Sequence, residues 1–354
     1  MPVGERLLCD QIDRVSGDSA WFTSLGRGQA AALWAQANPQ GNAQCLFLDR
    51  YSADETIAAG QLPSNLAILC AADFPEPTPE LMAPGVVAIP LSRRGDAELA
   101  RDLLQTGFER LRMDGTLMTA VDHPEDVWLH EQMHALAPHV TRIPTKHGTT
   151  YLARKTGPLK RHRDFSCEFA FRDSSVHEGV DPGKKPMPLF SRPGVFSHRR
   201  LDLGARALIE QMVIRPGDRI VDLGCGSGAV GIAAGLRSGG PVHFLDSTPR
   251  ALECAARGAM ASGLTFTTQL EAAGQVEPSG QFDVALTNPP YYSHHRITEI
   301  LLSAAHRALR PSGRVIVVGK PNDWILERMS QLFQRVKSAS CRGYVVVWGN
   351  RAND

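Results

Sequence analysis

The carboxy-terminal half of the chain alternates short apolar runs with amphipathic segments. Apolar runs such as DRIVDL, PVHFLD and FDVALT are followed by segments with helical spacing, among them TPRALECAARGAMASGL and ITEILLSAAHRALR. Strands that alternate with helices are typical of a doubly wound, mostly parallel sheet. The last two segments, RVKSAS and YVVVWG, flank Cys341-Arg342-Gly343 and predict a closing hairpin. The pattern therefore predicts an α/β domain that uses nearly all of this half.

The amino-terminal half carries a fainter copy of the same ending. LRMDGTLMTAV resembles LRPSGRVIVVG, DVWLHEQM resembles DWILERM, and KHGTTYLARK resembles CRGYVVVWGN. NLAILCAADFPEP is interpreted as the counterpart of FDVALTNPPYY. We infer a tandem duplication of one α/β fold, with domains at 1–155 and 189–354 and a basic linker at 156–188. The first copy lacks Gly-x-Gly-x-Gly and Asn-Pro-Pro-Tyr, so it is predicted to be degenerate.

Length and composition exclude several classes of protein. A chain of 354 residues suggests about two domains, and 43% hydrophobic residues argue against disorder. A net charge of +1 excludes a uniformly basic chain. No apolar stretch approaches the roughly 18 residues of a membrane helix, and the charged start lacks the apolar core of a signal peptide. Seven scattered cysteines without C-x-x-C spacing predict reduced thiols and no metal. We therefore expect a cytoplasmic protein with no membrane partner.

Residues 154–206 form the most basic part of the chain, with twelve Lys and Arg against six Asp and Glu. This segment is rich in glycine and proline, which is typical of a connector. Two interpretations remain open, a solvated linker and a surface that binds phosphates. For the second, the predicted phosphate contacts are Lys160, Arg161, Arg163, Arg192, Arg199 and Arg200.

A glycine-rich loop, Gly224-Cys225-Gly226-Ser227-Gly228, follows strand DRIVDL and opens a helix. Glycine lets the main chain turn sharply and lets a ligand approach it. The run 226–231 also fits the dinucleotide pattern G-x-G-x-x-G, so the loop alone leaves two cofactors open. Asp222 just before the loop would repel a pyrophosphate but could help to hold a cationic amino-acid end. Together with the spacing of the glycines, this favours S-adenosylmethionine. Asp246, at the end of the next strand, can accept hydrogen bonds from a ribose in either cofactor.

The sequence Asn288-Pro289-Pro290-Tyr291 follows strand FDVALT, at the carboxyl edge where open α/β sheets place their sites. Two prolines make a stiff, extended backbone. The Asn288 side-chain oxygen and the Pro289 carbonyl can then accept both hydrogens of a planar NH2 group, which turns the nitrogen lone pair towards a methyl donor. Tyr291 can stack on a flat ring. Catalysis would rest mainly on positioning.

These motifs resemble the class I S-adenosylmethionine-dependent methyltransferases that modify exocyclic or amide nitrogens. Pro193-Gly194-Val195-Phe196-Ser197 and Leu201-Asp202-Leu203-Gly204 resemble the entry segment of the ribosomal RNA guanine-N2 methyltransferases, which include the small subunit methyltransferase C and large subunit methyltransferase G types. That family also has tandem domains with a degenerate first copy. The resemblance is good over residues 189–348 and covers the first half only in outline.

The resemblance implies two tandem Rossmann-like domains, the second a seven-stranded doubly wound sheet with an antiparallel last strand. It implies that Phe196 and Asp202 help to form the pocket around the methyl donor, and that the first copy supports folding and grips RNA. It places adenine near Leu270-Glu271-Ala272, where Glu271 stands instead of the usual Asp or Asn. The predicted cofactor-binding residues are Phe196, Asp202, Asp222, Gly224, Cys225, Gly226, Gly228, Asp246, Ser247 and Glu271. The predicted catalytic residues are Asn288, Pro289, Pro290 and Tyr291.

The expected function is methyl transfer to the N2 amine of a guanine in ribosomal RNA, by a monomer whose partner is ribosomal RNA or a ribosomal subunit. The nearest relatives have Phe-His after the two prolines, whereas this chain has Tyr291-Tyr292-Ser293-His294-His295. Two roles remain open for His294 and His295, namely contact with RNA phosphate and an ordinary position on the surface. Other acceptors with an NH2 group remain open, namely a release-factor glutamine and a DNA adenine. A nicotinamide oxidoreductase and a non-catalytic RNA-binding factor are the alternatives outside this class.

Overall fold

The computed structural model describes residues 1–60, 62–78, 81–173, 186–290, 295–321 and 323–353. The chain divides into two units, Met1–Phe165 and Ser166–Asp354. Each unit contains a seven-stranded sheet with helices between its strands. Within the described ranges, no helix is long and apolar enough to span a bilayer.

The amino-terminal unit has five α-helices and seven strands among its described residues. The helices are α1 (Val3–Cys9), α2 (Gln29–Ala37), α3 (Arg50–Ala58), α4 (Ala97–Arg110) and α5 (Trp128–Leu136), with a 3-10 turn at Ile12–Arg14. The strands are β1 (Ser19–Thr23), β2 (Asn42–Phe47), β3 (Leu66–Cys70), β4 (Val86–Leu91), β5 (Thr116–Val121), β6 (Val140–Thr145) and β7 (Gly148–Arg154). Their order in the sheet is β3-β2-β1-β4-β5-β7-β6, and β7 runs antiparallel to both of its neighbours.

The carboxy-terminal unit repeats this arrangement. Its helices are α6 (Leu203–Gln211), α7 (Ala229–Ser238), α8 (Pro249–Ala261), α9 (Arg296–Ala308) and α10 (Asp323–Leu332). Its strands are β8 (Cys167–Phe171), β9 (Met187–Ser191), β10 (Ile220–Leu223), β11 (Val242–Asp246), β12 (Phe266–Leu270), β13 (Phe282–Thr287), β14 (Leu309–Gly319), β15 (Gln334–Cys341) and β16 (Tyr344–Asn350). The large sheet has the order β12-β11-β10-β13-β14-β16-β15, and β8 pairs with β9 apart from it. The predicted fold class, including the antiparallel closing hairpin, is confirmed.

The two sheets match strand for strand, so β10 to β16 are the counterparts of β1 to β7. This contradicts one detail of the sequence analysis. NLAILC forms β3, which pairs with β2 at the sheet edge, and β4 lies beside β1. The counterpart of FDVALT is therefore β4, and the interpretation that placed NLAILCAADFPEP there was wrong. An apolar run followed by prolines shows that a strand ends, but it does not show which strand it pairs with.

Alternation along β10 explains how its side chains divide between the two faces of the sheet. Ile220 packs in the core on one face, and Val221 and Leu223 pack in the core on the other. Asp222 therefore points to the same face as Ile220, which α7 covers. Both faces are buried, as expected for a parallel strand in the centre of a sheet.

The segment 156–188, predicted as a linker, contains part of the second unit. The division between the units comes after Phe165, and β8 pairs antiparallel with β9. Just after β8, Asp173 accepts a hydrogen bond of 2.6 Å from Arg237, whose side chain is only 2% exposed. Arg237 also donates to the carbonyls of Met212 and Ile209, so Asp173 is tied to the interior of the unit. Residues 174–185 lie outside the described ranges.

Candidate active site

Strand register brings the predicted site residues to one edge of the second sheet. Leu223 of β10 lies level with Leu245 of β11 and with Thr287 of β13. The residues that follow these three, Gly224, Asp246 and Asn288, therefore leave the sheet side by side. Asp246 in turn is level with Leu270, which places Glu271 at the same edge. These four predicted residues come from four strands that are separated by many residues in the sequence.

The glycine-rich loop has positive φ angles at Gly224, Gly226 and Gly228, of 70°, 53° and 79°. These angles disfavour any residue with a Cβ. The surroundings of two of the glycines differ. A Cβ at Gly226 would meet no atom within 4 Å, whereas a Cβ at Gly228 would lie 2.7 Å from Ala255 of α8. Gly228 thus allows the loop to pack closely on α8, while the main chain at Gly226 borders open space that a ligand can occupy.

Asp246 connects this loop to the end of β11. Its Oδ2 accepts a hydrogen bond of 2.9 Å from the Gly226 amide, and its Oδ1 accepts one of 2.9 Å from the Thr248 amide. Because each carboxylate oxygen has two lone pairs, hydroxyl donors can still be accommodated. Ser247 lies between these contacts and is partly exposed.

Asp222 lies beneath the loop and is only 2% exposed. Its Oδ2 accepts a hydrogen bond of 2.8 Å from the Gly231 amide in the first turn of α7. Burial raises the pKa of Asp222 to about 7, with a smaller contribution from the charge of Asp246. Asp222 is predicted from the sequence to contact the ligand, and in the structure its carboxylate also anchors the first turn of α7.

Asn288 begins the motif that follows β13. Its Nδ2 donates a hydrogen bond of 2.9 Å to Oδ2 of Asp202, the N-cap residue of α6. The preceding residue, Thr287, is buried and donates through Oγ1 to the Leu223 carbonyl at 2.9 Å. Pro289 is buried and Pro290 partly exposed. Tyr291 and His294 lie outside the described residues.

The entry segment with Phe196 packs against α8. Arg250, fully buried, donates to the Pro193 carbonyl at 2.9 Å, and Val195 packs with Ala251 and Cys254. Phe196 itself is 55% exposed, a large apolar side chain turned to solvent. The role of Arg250 could not be predicted from the sequence, since an arginine within a helix carries no signal of burial.

Glu271 and Cys225 are both held by local main-chain groups. The Ala273 amide donates to Oε1 of Glu271, which closes a tight turn after β12. Cys225 is buried, and burial together with the nearby carboxylates of Asp246 and Asp222 raises the pKa of its thiol well above the ordinary value. This thiol is therefore protonated and unreactive at neutral pH.

The predicted phosphate contacts differ in their surroundings. Lys160, Arg161 and Arg163 are exposed near the end of the first unit, and Arg199 and Arg200 are exposed before α6. Arg192, in contrast, pairs with Glu253 at 2.8 Å and is mostly covered. His295, which the sequence analysis considered for RNA contact, stacks on Trp324 with 4.2 Å between the ring centroids.

The site fits S-adenosylmethionine better than a dinucleotide. Asp222 and Asp246 are close enough for one charge to raise the pKa of the other, so a pyrophosphate would be repelled here. A sulfonium cation and a cationic amino group would instead relieve that repulsion. The main chain of the glycine loop can bind the amino-acid part of S-adenosylmethionine, and the Asp246 carboxylate can bind its ribose. The open space at Gly226 leaves room for these parts.

Residues 186–348 match the family model of the methyltransferase small domain. The matched region spans most of the carboxy-terminal unit and just under half of the chain. The class of methyltransferase predicted from the sequence is confirmed.

Curated relatives of the methyltransferase chain are ribosomal RNA methyltransferases. The large subunit methyltransferase G of Streptomyces avermitilis is 28% identical over 282 residues, which are 77% of this chain and 71% of that protein. The small subunit methyltransferase C of Chromohalobacter salexigens is 35% identical over 37% of this chain, and the alignment spans only 41% of its length. The large subunit methyltransferase G of Streptomyces coelicolor is 35% identical, with 41% of each protein aligned.

Among solved structures, the 16S rRNA N2 methyltransferase of T. thermophilus, determined in complex with AdoMet and guanosine, has a TM-score of 0.75. The match covers 98% of this chain and 92% of that chain at 17% identity. Both units of the methyltransferase chain therefore share their fold with that protein, including the degenerate first unit.

Proposed function

We propose that this protein is an S-adenosylmethionine-dependent methyltransferase that methylates the exocyclic N2 amine of a guanine in ribosomal RNA. The observation that carries the proposal is the position of Asn288. Its amide stands at the carboxyl edge of the sheet, one strand away from the glycine loop and two from Asp246. An acceptor for an amine is thus next to groups suited to a methyl donor.

S-adenosylmethionine, when bound, supplies an electrophilic methyl group. The residues that would hold it are Asp246 for the ribose hydroxyls, the Gly224–Gly228 main chain for the amino-acid part and Glu271 near the adenine. Further predicted contacts are those of Phe196, Asp222, Cys225 and Ser247. The remaining member of the predicted set, Asp202, accepts a hydrogen bond from Asn288. The buried Asp222 acts chiefly by anchoring the first turn of α7.

The amine-binding residues act by orientation. The Asn288 carbonyl oxygen and the Pro289 carbonyl accept the two hydrogens of the guanine NH2 group, which leaves the nitrogen lone pair perpendicular to the base. Because the nitrogen becomes acidic only as it is alkylated, no strong base has to remove a proton beforehand. Positioning of this kind can supply a large share of a rate enhancement.

Ribosomal RNA is favoured over other NH2 acceptors by the match along the whole chain. Relatives named for both ribosomal subunits align with it, and the full-length structural match is named as a 16S rRNA N2 methyltransferase. A guanine within folded RNA must leave its stack to reach the site. Arg199 and Arg200 are exposed close to α6 in sequence and would contact phosphate.

The amino-terminal unit is proposed to support folding and to grip RNA through Lys160, Arg161 and Arg163. We expect a monomer that acts on ribosomal RNA or an assembling subunit in the cytoplasm. Arg192 is expected to contribute less than Arg199 or Arg200, because Glu253 already neutralises it.

The direct test is mass spectrometry of ribosomal RNA nucleosides from cells with and without this protein. Loss of N2-methylguanosine from one position, restored by the wild-type chain, is the expected result. In parallel, labelled S-adenosylmethionine is offered with ribosomal RNA, a release factor or DNA. Label transferred only to release-factor glutamine or to adenine would refute the guanine assignment, and tight RNA binding without transfer to any acceptor would indicate a non-catalytic factor.

A further inference from the structure

The hydrogen bond between Asn288 and Asp202 joins two motifs that lie 86 residues apart. Asp202 is itself held in place. Its Oδ2 accepts a second hydrogen bond, of 3.0 Å, from the Ala205 amide, so the carboxylate caps the N-terminus of α6. The group that Asn288 contacts is therefore a fixed acceptor attached to a helix.

A carboxylate in this place determines which way round the Asn288 amide lies. An asparagine side chain has a donating NH2 end and an accepting oxygen end, whereas an ionised carboxylate only accepts. With Nδ2 towards Asp202, the oxygen of Asn288 faces the other way. The reversed amide would bring its oxygen against the carboxylate oxygen, and two acceptors repel each other.

Orientation matters because the proposed substrate amine offers hydrogens. Only the oxygen end of Asn288 can accept one of them, and a reversed amide would oppose a donor to a donor. The backbone on either side is already constrained, by the Thr287 hydroxyl bond to Leu223 and by Pro289. The hydrogen bond to Asp202 acts on the rotation of the Asn288 side chain.

We propose that Asp202 is a positioning residue for methyl transfer, which holds the Asn288 amide with its oxygen towards the acceptor amine. This inference rests on the proposed function and changes the role implied by family resemblance, in which Asp202 forms part of the pocket around the methyl donor. Here it acts through Asn288.

The amino-terminal unit lacks both members of this pair. Its first helix, α1, packs on β5, β7 and α2 as α6 packs on the counterparts β14, β16 and α7. The N-cap of α1 is Pro2. Strand register places Pro90 at the level that Asn288 occupies in the second unit. Where the amine-binding asparagine is absent, the carboxylate that would orient it is absent too.

The test compares two substitutions that both retain a helix cap. Asp202→Ser can cap α6 but is too short to reach Asn288, whereas Asp202→Asn can accept both hydrogen bonds through its amide oxygen. For Asp202→Ser we expect kcat on ribosomal RNA to fall about 100-fold, the scale of a misplaced catalytic group. The KM for RNA and the calorimetric affinity for S-adenosylmethionine should change by less than about twofold, since no contact of either ligand is removed. Asp202→Asn should recover most of kcat.

A matched control is Asp96→Ser, which alters the N-cap of α4 in the first unit. Asp96 accepts from the Glu98 and Leu99 amides, so this variant measures the effect of changing a cap alone. It should leave kcat unchanged. Thermal melts of all variants establish that they fold.

Two further measurements separate positioning from other roles. In an Asn288→Ala background, Asp202→Ser should cause no additional loss of kcat, because residues that act as one unit are not additive. The signal of the Asn288 side-chain NH2 group in nuclear magnetic resonance spectra is assigned by its absence in Asn288→Ala. This group should be protected from exchange with solvent in the wild type and in Asp202→Asn, and less protected in Asp202→Ser.

The outcomes distinguish this inference from the proposed function. A wild-type protein that transfers no methyl group to ribosomal RNA would overturn both. An active wild type whose Asp202→Ser variant has normal kcat, or weaker cofactor binding with normal kcat, would overturn the positioning role alone. Losses of kcat that add to those of Asn288→Ala would do the same.

Discussion

Each of the two units has a five-residue loop at the same place in the fold, and the two loops differ in whether they leave space for a ligand. Residues 24–28 read Ser-Leu-Gly-Arg-Gly between β1 and α2, and residues 224–228 read Gly-Cys-Gly-Ser-Gly between β10 and α7. Both loops end in a left-handed glycine that caps the following helix, Gly28 with a φ of 68° and Gly228 with a φ of 79°.

In the amino-terminal unit the loop is filled by the protein itself. Glu5 of α1 is 0% exposed, and its Oε2 accepts from the Ser24 hydroxyl at 2.8 Å and from the Leu25 amide at 2.9 Å. Its Oε1 accepts from the Ala30 amide in α2 at 3.3 Å. The Glu5 carboxylate thus accepts hydrogen bonds from donors of the first loop, whereas the second loop borders open space at Gly226.

The polar positions around the loop are also replaced in the first unit. Strand register places Phe22 where the second unit has Asp222, Phe47 where it has Asp246 and Pro90 where it has Asn288. Both phenylalanines are buried. A ligand site can thus be lost when apolar side chains and internal hydrogen bonds fill it, while the strand order and the core remain.

The largest expected effect is that of Asn288→Ala. It removes the amine acceptor, so methyl transfer should fall at least about 1000-fold, as with loss of a key transition-state contact. Affinity for S-adenosylmethionine, measured by calorimetry, should stay within about twofold because the loop and Asp246 are unchanged. Pro90→Ala is the matched change in the first unit and should leave turnover unaltered. Near-normal turnover of Asn288→Ala would remove the basis for the amine assignment.

Asp246→Ala should weaken S-adenosylmethionine binding about 10- to 100-fold. The variant loses both the ribose acceptor and the bond to the Gly226 amide, and hydrogen bonds to charged groups contribute about 1.5–3 kcal/mol. Phe47→Ala, the matched change, should lower the stability of the first unit and leave the calorimetric affinity as it is. Equal affinity losses in the two variants would mean that the first unit also takes part in binding.

The raised pKa of Asp222 predicts a pH dependence that the first unit, with Phe22, cannot show. Its pKa is about 7 in the folded protein against 3.8 ordinarily, so the folded state binds a proton more tightly between these values. The contribution of this protonation to the free energy of unfolding is fully present below about pH 4. It is lost as the pH rises through 7, at a rate of at most about 1.4 kcal/mol per pH unit. Urea denaturation of the cofactor-free protein should show this loss, and Asp222→Asn should reduce it. An identical pH profile in Asp222→Asn would show that the carboxyl is not responsible.

Glu5→Ala should lower the free energy of unfolding of the amino-terminal unit by about 2 kcal/mol, because it leaves buried amide donors without an acceptor. Cofactor affinity and kcat should not change, since the second loop is untouched. Glu5→Gln keeps an acceptor and should be milder in denaturation experiments. A variant as stable as the wild type would mean that the internal carboxylate does not stabilise the loop.

The smallest effects are expected at the surface. Arg199→Ala and Arg200→Ala should each reduce the slope of RNA affinity against salt concentration by about 0.7–0.9, the value for one phosphate contact. Arg335→Ala, which removes an exposed arginine of β15, serves as the control and should leave the slope unchanged. If the slope of RNA affinity against salt concentration is the same in all three variants, RNA phosphate does not contact Arg199 or Arg200.

Much of the fold could be predicted because it depends on local pattern. The strand–helix alternation, the glycine loop and the closing hairpin at Cys341-Arg342-Gly343 all follow from residue spacing and turn residues. The duplication was visible for the same reason. The assignment of NLAILC to a central strand was wrong, because pairing partners are chosen by packing between distant segments.

The contacts within the candidate site were less accessible to sequence reasoning. Asn288 and Asp246 were identified from motifs, but their partners were not. Nothing near Asp202 in the sequence indicates that it holds Asn288, and nothing near Glu5 indicates that it fills a loop about twenty residues away. Each contact exists only because strands and helices that are remote in the chain end at the same edge of a sheet.

The class of fold, the duplication and the residue types available for amine methylation could be predicted from the sequence, because periodicity, glycine spacing and proline stiffness act over a few residues. Three features could not be predicted in this way: which of the two loops is open, which carboxylate orients the Asn288 amide, and the burial of Asp222. They depend on strand register and on the packing of helices against a sheet. A hydrogen bond of 2.9 Å between residues 86 positions apart has no local cause.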